Sequence, residues 1–314
     1  MARGHQMKAL ALLPAFALVG LTVACGAGGS GAGDAGSSNS SSAAAAGGSS
    51  DIPAVAKDAK LAAMVPASVT SDGKILVGQD QSYPPNEFQD ESGKVTGFDV
   101  DLGTAIGQKL GLKMEFQNSA FDGIIPGIQA GKYELAMSSF SINPERLQTV
   151  DMVSYYKAGT ALAALEGNPD GLNLDDLCGK KMGVQKGTTQ VEDLQTRSDA
   201  CTKAGKPAID VTQLQAQTDV NLALTAKRVQ GELADSPVID YAVKQTGGRL
   251  DVVGAPYDTA PYGIVLKKDS GDYSKAVQQA VQALIDDGTY KKILDKWGLS
   301  GAGTVTTSEI NPAS

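Results

Sequence analysis

The apolar positions of this chain recur in two rhythms. A short run of Ile75, Leu76 and Val77 stops at Gly78, as a buried strand does, and after a loop Phe98, Leu102, Ala105, Ile106 and Leu110 fall at helical spacing. Strand candidates follow at Lys113–Phe116 and Leu135–Met137, separated by a helix candidate through Ile124, Ile125 and Ile128. The pattern restarts at Met182–Val184 and continues through Ile209–Val211, the helix candidate Val220–Arg228, and Val252–Val253. It closes with a strand at Ile264–Leu266 and helices around Ala276–Ile285 and Tyr290–Trp297. Strands alternating with helices predict an α/β fold built on a parallel sheet.

The first 70 residues follow neither rhythm. After Lys8 the chain is uncharged and rich in Leu and Ala through Ala24, shorter than the roughly 20 residues a spanning helix needs. Residues 1–24 therefore read as an export signal, starting at Met1 or at Met7. The run stops at Ala24-Cys25-Gly26, which resembles a bacterial lipobox and implies cleavage before Cys25 and acylation of its thiol. Thr22 stands where that motif usually has leucine. Residues 26–50 are Gly, Ala and Ser apart from Asp34 and Asn39. With no large side chain to bury, they cannot offset the entropy of ordering, and 25–70 is expected to act as a tether.

Composition narrows the chemistry. At 314 residues the chain is long enough for two domains after the leader is removed. Its one histidine is His5, inside the segment expected to be cleaved, so a Ser-His-Asp triad, a Cys-His dyad and histidine-ligated metals are excluded, and no metal or other cofactor is expected. The net charge of −8 becomes −10 once Arg3 and Lys8 are lost with residues 1–24, a poor match to nucleic acid or anionic lipid. Cys178 and Cys201 bracket a loop in a chain that reads as exported, so a disulfide is expected between them, two buried free thiols being the alternative.

In open parallel sheets ligands bind beyond the carboxyl ends of the strands. Reading those positions gives Asp80 and Tyr83, then Ser138, Ser139, Ser141 and Arg146, then Gly187, Thr188, Thr189 and Gln190, then Asp235, with Phe121 otherwise a core residue. The set is rich in hydroxyls and holds one arginine and two carboxylates. An arginine fork holds a carboxylate, amides at a helix start complete its shell, and Asp235 can meet an ammonium, so the set suits a zwitterion. With no histidine among these groups, binding is expected to vary little between pH 6 and 8.

The stretches VGQDQSYPPNEF, GFDVDLGTAIGQKLG, FDGIIPGIQAGKYELAMSSFSINPER, GVQKGTTQ and ADSPV resemble the extracellular solute-binding protein family 3, the amino-acid-binding components of ABC importers. The resemblance runs from about residue 72 to 298. It implies a periplasmic-binding-protein-like α/β fold of two lobes, 72–160 with 256–300 and 161–255, joined by two hinge segments, with 301–314 as a tail. It implies that Arg146 clamps an α-carboxylate with Ser141 and Thr189, that Asp235 and Ser139 hold the α-ammonium, and that Tyr83 and Phe121 flank the side chain. Asp80 and Gln185 would lie toward the variable end. The expected protein is a monomeric receptor rather than an enzyme. It would be lipid-anchored on the outer face of the cytoplasmic membrane and pass a polar, possibly basic, amino acid to a permease and its ATPase. A dehydratase-like enzyme on the same fold and a sensor-only binding protein are the alternatives.

Overall fold

The computed structural model describes residues 54–313. The expected signal peptide, Cys25 and most of the tether lie outside the described residues. In chain order the first half holds α1 (Ala59–Met64), α2 (Ala67–Thr70), β1 (Lys74–Gln79), β2 (Ser82–Tyr83), β3 (Glu87–Gln89), β4 (Val95–Thr96), α3 (Phe98–Leu110), β5 (Lys113–Asn118), α4 (Phe121–Gln129), β6 (Leu135–Ala136), α5 (Pro144–Leu147) and β7 (Val150–Leu165). The second half holds β8 (Lys181–Gln185), α6 (Thr189–Lys203), β9 (Asp210–Leu214), α7 (Gln217–Thr225), β10 (Gly231–Asp235), α8 (Ser236–Gln245), β11 (Leu250–Lys267), α9 (Asp272–Asp286) and α10 (Thr289–Trp297).

The main strands join in the order β5-β1-β6-β11-β7-β10-β8-β9, while β2, β3 and β4 form a small antiparallel sheet. β1 runs parallel to β5 and β6, and β8 runs parallel to β9 and β10. The sheet is nevertheless mixed, which corrects the all-parallel expectation. β7 and β11 span 16 and 18 residues, about 50 to 60 Å when extended, and pair antiparallel with each other. One carries the chain into the second lobe and the other returns it. The two strands expected at 252–253 and 264–266 are the ends of the single β11. Its register shifts between Val253 and Tyr257, between Tyr257 and Ala260, and between Tyr262 and Gly263, near Gly254, Pro256 and Pro261.

Each lobe is a sheet with apolar packing on both faces. In the first, Leu102, Ile106, Val277, Val281 and Ile293 pack with Ile75 and Val77 on one face, and Phe121, Ile124 and Ile128 pack with Val150 and Met152 on the other. In the second, Leu224, Val238 and Ile239 form one core and Leu194, Met182, Val184 and Leu233 the other. Burial of helices on both faces leaves the strand ends as the open edge, and the two lobes turn those edges toward each other.

Both ends of the described chain belong to the first lobe. The tether expected through residue 70 stops earlier: Asp58 caps α1, accepting from the amides of Lys60 and Leu61, and Leu61 and Val65 are buried in the core. Residues 301–313, expected as a tail, lie along β7. Lys157 N donates to Gly303 O at 2.9 Å, Ser154 N to Glu309 O at 2.9 Å and Met152 N to Asn311 Oδ1 at 2.8 Å, while Val305 and Ser308 are buried. Their alternating polar sequence hides this, because half of a strand-like edge segment faces water.

Cys178 and Cys201 are bonded, with Cα atoms 5.6 Å apart, tying the loop before β8 to the last turn of α6. Closing a loop of 23 positions restricts the unfolded chain by about 3 kcal/mol. Replacing both cysteines with alanine is expected to lower unfolding free energy by that order in urea titrations. A loss below about 1 kcal/mol would show that other contacts hold this loop.

Candidate ligand cleft

The site is assembled by chain ends that the two sheets cannot cover. β1 is followed by Asp80 and β6 by Ser138 and Ser139, while β8 ends at Gln185 and β10 at Asp235. All twelve residues expected at the site line one narrow cleft: Asp80, Tyr83, Phe121, Ser138, Ser139 and Ser141, together with Arg146, Gln185, Thr188, Thr189, Gln190 and Asp235. A thirteenth, Glu87, lines it too and was not foreseen.

Arg146 is aimed by a very short helix. Asn143 Oδ1 accepts from Arg146 N at 2.8 Å and Pro144 sets the first turn, which fixes where the arginine leaves the helix. The guanidinium carbon lies 5.6 Å from the ring centre of Phe121 and 5.2 Å from that of Phe140, rings that stack at 4.4 Å. Nη1 donates to Ser141 O at 2.8 Å, and Nη2 reaches across the cleft to Gly187 O at 3.3 Å. Burial lowers the guanidinium pKa, opposed chiefly by the charge of Asp235.

Asp235 occupies the N-cap position of α8 but does not cap it. Its carboxylate accepts from Gln190 Nε2 at 2.8 Å and Tyr262 OH at 2.7 Å, and its own amide donates to Tyr83 OH at 3.1 Å from the opposite lobe. Burial raises its pKa, and the donors from Tyr262 and Gln190 restrain the rise. Thr188 likewise caps α6 only through its backbone, since its hydroxyl donates to Gln185 O at 2.8 Å. The first amides of that 15-residue helix therefore keep no side-chain partner from the cap.

Asp80 is more committed than its exposed-looking sequence context suggests. Oδ1 accepts from Ser82 N at 3.0 Å and from the Ser82 hydroxyl, and Oδ2 accepts from Phe121 N and Gln185 Nε2, each at 3.0 Å. Burial raises its pKa against these donors. Gln185 makes Asp80 a bridge between the lobes, and three further contacts close the rim. Asp122 accepts from Gln215 Nε2 at 2.7 Å and pairs with Lys186 Nζ at 2.9 Å, while Gln217 N donates to Ser82 Oγ at 3.0 Å.

Under Ser138 and Ser139 lie two fully buried carboxyls, Glu87 and Asp99. The Ser138 hydroxyl donates to Glu87 Oε1 at 3.0 Å and the Ser139 hydroxyl to Oε2 at 3.2 Å. Asp99 Oδ2 accepts from Ser139 N at 3.1 Å and Tyr155 OH at 2.8 Å. Ser139 takes φ of 52°, a left-handed conformation uncommon for serine, which lets its amide and hydroxyl serve both acids. Burial pushes Glu87 well above the usual carboxylate range and Asp99 up to about 7. Neither acid is among the residues expected at the site, and the expectation of little change in binding between pH 6 and 8 took no account of them.

No group of three His, Cys, Asp or Glu is arranged to hold a metal among the described residues, and no helix there is long and apolar enough to cross a membrane. What the fold and cleft define is a two-lobed binding protein: opposed strand ends, one stacked arginine, and carboxylates and hydroxyls converging from both sides. Residues 75–300 match the model of the bacterial extracellular solute-binding proteins, family 3, and the chain belongs to that family. It is 32% identical over 241 residues to the arginine-binding protein ArgT of Corynebacterium glutamicum, covering 76% of this chain and 79% of that protein. It is 28% identical to the L-cystine-binding protein TcyJ of Escherichia coli, covering 73% and 84%. Among solved structures it resembles an ancestral arginine-binding protein bound to arginine, with 36% identity, a TM-score of 0.66, and coverage of 72% of this chain and 98% of that one. A structure of an ancestral arginine-binding protein bound to glutamine gives 34% identity, a TM-score of 0.67, and coverage of 73% and 99%.

Proposed function

We propose that this protein captures a cationic amino acid outside the cell and hands it to the permease and ATPase of an ABC importer, held to the outer face of the cytoplasmic membrane by a lipid on Cys25. In this reading Arg146 forks the α-carboxylate with Ser141 and the Thr189 amide, and Asp235 with Ser139 takes the α-ammonium. Tyr83 and Phe121 sandwich the side chain, and its end lies toward Asp80, Gln185 and Glu87. Segments 72–160 and 256–300 form one lobe and 161–255 the other, closing about β7 and β11.

The observation that carries the choice of a basic ligand is the charge balance. Asp80 and Asp235 face a single arginine in a buried cleft, leaving one negative charge even if Glu87 keeps its proton. A ligand of net charge +1 removes that imbalance, and buried charge is tolerated only when paired. The arginine-binding relatives support the same reading, and the ancestral protein bound to glutamine supports an amide as second choice. We read the cleft as non-catalytic because Asp80 and Asp235 are held in place by hydrogen-bond donors and no histidine lines the cleft to activate its hydroxyls.

Isothermal titration against the twenty amino acids tests this. Arginine or lysine is expected to bind with Kd of about 1 μM or tighter, near 8 kcal/mol, with glutamine weaker and glutamate undetected. If no amino acid binds tighter than about 100 μM, the receptor reading fails. Uptake of labelled arginine by a strain lacking this protein separates a transport receptor from a sensor.

A further inference from the structure

The hydrogen-bond directions around Glu87 and Asp99 require a proton that the neighbours cannot supply. Ser138 Oγ accepts from Asp80 N at 3.0 Å and Ser139 Oγ accepts from Asn86 Nδ2 at 2.9 Å, so each hydroxyl turns its own proton toward Glu87. Both Glu87 oxygens are thus acceptors. Asp99 Oδ2 already has two donors, whereas Asp99 Oδ1 is buried with no donor from any other side chain or amide. The remaining group within hydrogen-bond reach is the Glu87 carboxyl itself. Two adjacent carboxylates buried side by side would repel, and an unpaired buried acceptor would be left. A proton on Glu87, donated to Asp99 Oδ1, resolves both.

The titratable groups facing the pair offer no cation. They are Asp80 at the end of β1, Tyr83 in β2 and Tyr155 in β7. The pair therefore moves between a neutral form with two protons and a singly charged form with one, and its charge has no counterion in the protein.

We infer that Glu87 and Asp99 form a proton-sharing dyad beneath the cleft floor, and that a cationic ligand side chain binds only its singly protonated form, so that binding below neutral pH releases the second proton to solvent. This rests on the cationic-ligand reading above. The O–H bond of the second carboxylic acid breaks, its proton goes to buffer, and the ligand's positive charge replaces it. The dyad thereby makes a buried carboxyl pair a specificity element, since a neutral side chain gains nothing from the charged form.

Calorimetry of arginine binding to the intact protein, run at pH 6 and pH 8 in buffers of different ionisation enthalpy, counts the protons released. Release approaching one proton per arginine is expected at pH 6, falling away at pH 8. Affinity should rise up to about tenfold per pH unit below the transition and level off above it. In the double variant Glu87→Gln/Asp99→Asn no carboxyl remains there to titrate, so release at pH 6 should be abolished and arginine should lose affinity. Glu232→Gln removes the separate acid in the second lobe, pushed by burial up to about 8, and should leave the release intact. Equal binding at both pH values with no proton count in the unaltered protein would overturn the linkage. In Glu232→Gln, which lacks the other acid kept protonated by burial, a protonated-carboxyl infrared band at pH 8 without ligand, lost when Glu87→Gln is added, tests the shared proton, and its absence would overturn the dyad. If that band is present but arginine does not bind, the ligand reading and the linkage built on it fall while the shared proton stands.

Discussion

Arg146→Ala is expected to weaken amino-acid binding by about 100- to 4,000-fold while leaving the protein folded. The guanidinium is the one cation lining the cleft, and no neighbouring lysine can take its place, because Lys186 is engaged with Asp122 at the rim. Removing one partner of a desolvated, hydrogen-bonded charge pair costs about 3 to 5 kcal/mol, and each 1.4 kcal/mol is tenfold in Kd. The fold should tolerate the loss: the side chain is half-buried and packs on Phe121 and Phe140, which stack on each other without it. Arg146→Lys should recover little, since an ammonium can neither fork a carboxylate nor lie flat against the rings. Titration calorimetry alongside urea unfolding checks both halves. Binding within tenfold of the original in Arg146→Ala would move the carboxylate anchor elsewhere.

The cleft was largely legible because its residues obey a topological rule. Ser138, Ser139, Gln185 and Asp235 stand where strands end, and short apolar runs followed by polar residues mark such places in a sequence. The helix Phe98–Leu110 was legible for an equally local reason. Its apolar stripe is continuous, and Gly111 ends it with φ of 71°. Glu87 escaped because it lies in a three-residue strand of the small sheet, outside the strand-end rule. Asp99 escaped because an acid in the first turn of a helix is ordinarily explained by the helix dipole. Only their joint burial beside Ser139 distinguishes them, and that is a tertiary fact. The long strands β7 and β11 were hidden for another reason. Gly159, Gly254, Pro256 and Pro261 interrupt the apolar pattern where the chain passes between lobes, so β11 reads as separate fragments and β7 was not read as a strand. In β11 the same irregularity gives bulged, exposed backbone able to absorb a bend, whereas β7 is buried along nearly its whole length.

A single methyl group on Gly187 is expected to weaken binding by about ten- to a hundredfold. Gly187 has φ of 81°, and a Cβ there would stand 2.8 Å from Asp122 Cβ and 3.1 Å from Asp122 Cα on the opposite lobe. Those atoms cannot rotate away as the end of a flexible side chain could. The left-handed backbone adds about 1 to 2 kcal/mol of local strain for a residue with a side chain. The same glycine carries the carbonyl that accepts from Arg146 Nη2, and it is flanked by the Lys186–Asp122 ion pair, so holding the lobes apart here loosens the clamp as well. Strain within the second lobe and obstruction between lobes predict different behaviour. Strain lowers the unfolding free energy of the ligand-free protein and leaves affinity nearly intact. Obstruction destabilises only the closed form, so ligand dissociates faster while ligand-free stability falls by no more than the strain. Stopped-flow release measured with urea unfolding distinguishes them, and Asp122→Gly, which deletes the nearest clashing atom, should restore part of the affinity of Gly187→Ala. If Gly187→Ala binds as tightly as the original protein, the close approach of Gly187 to Asp122 is not a feature of the ligand-bound state, and closure must be held by Gln185 with Asp80 and Tyr83 with Asp235 instead.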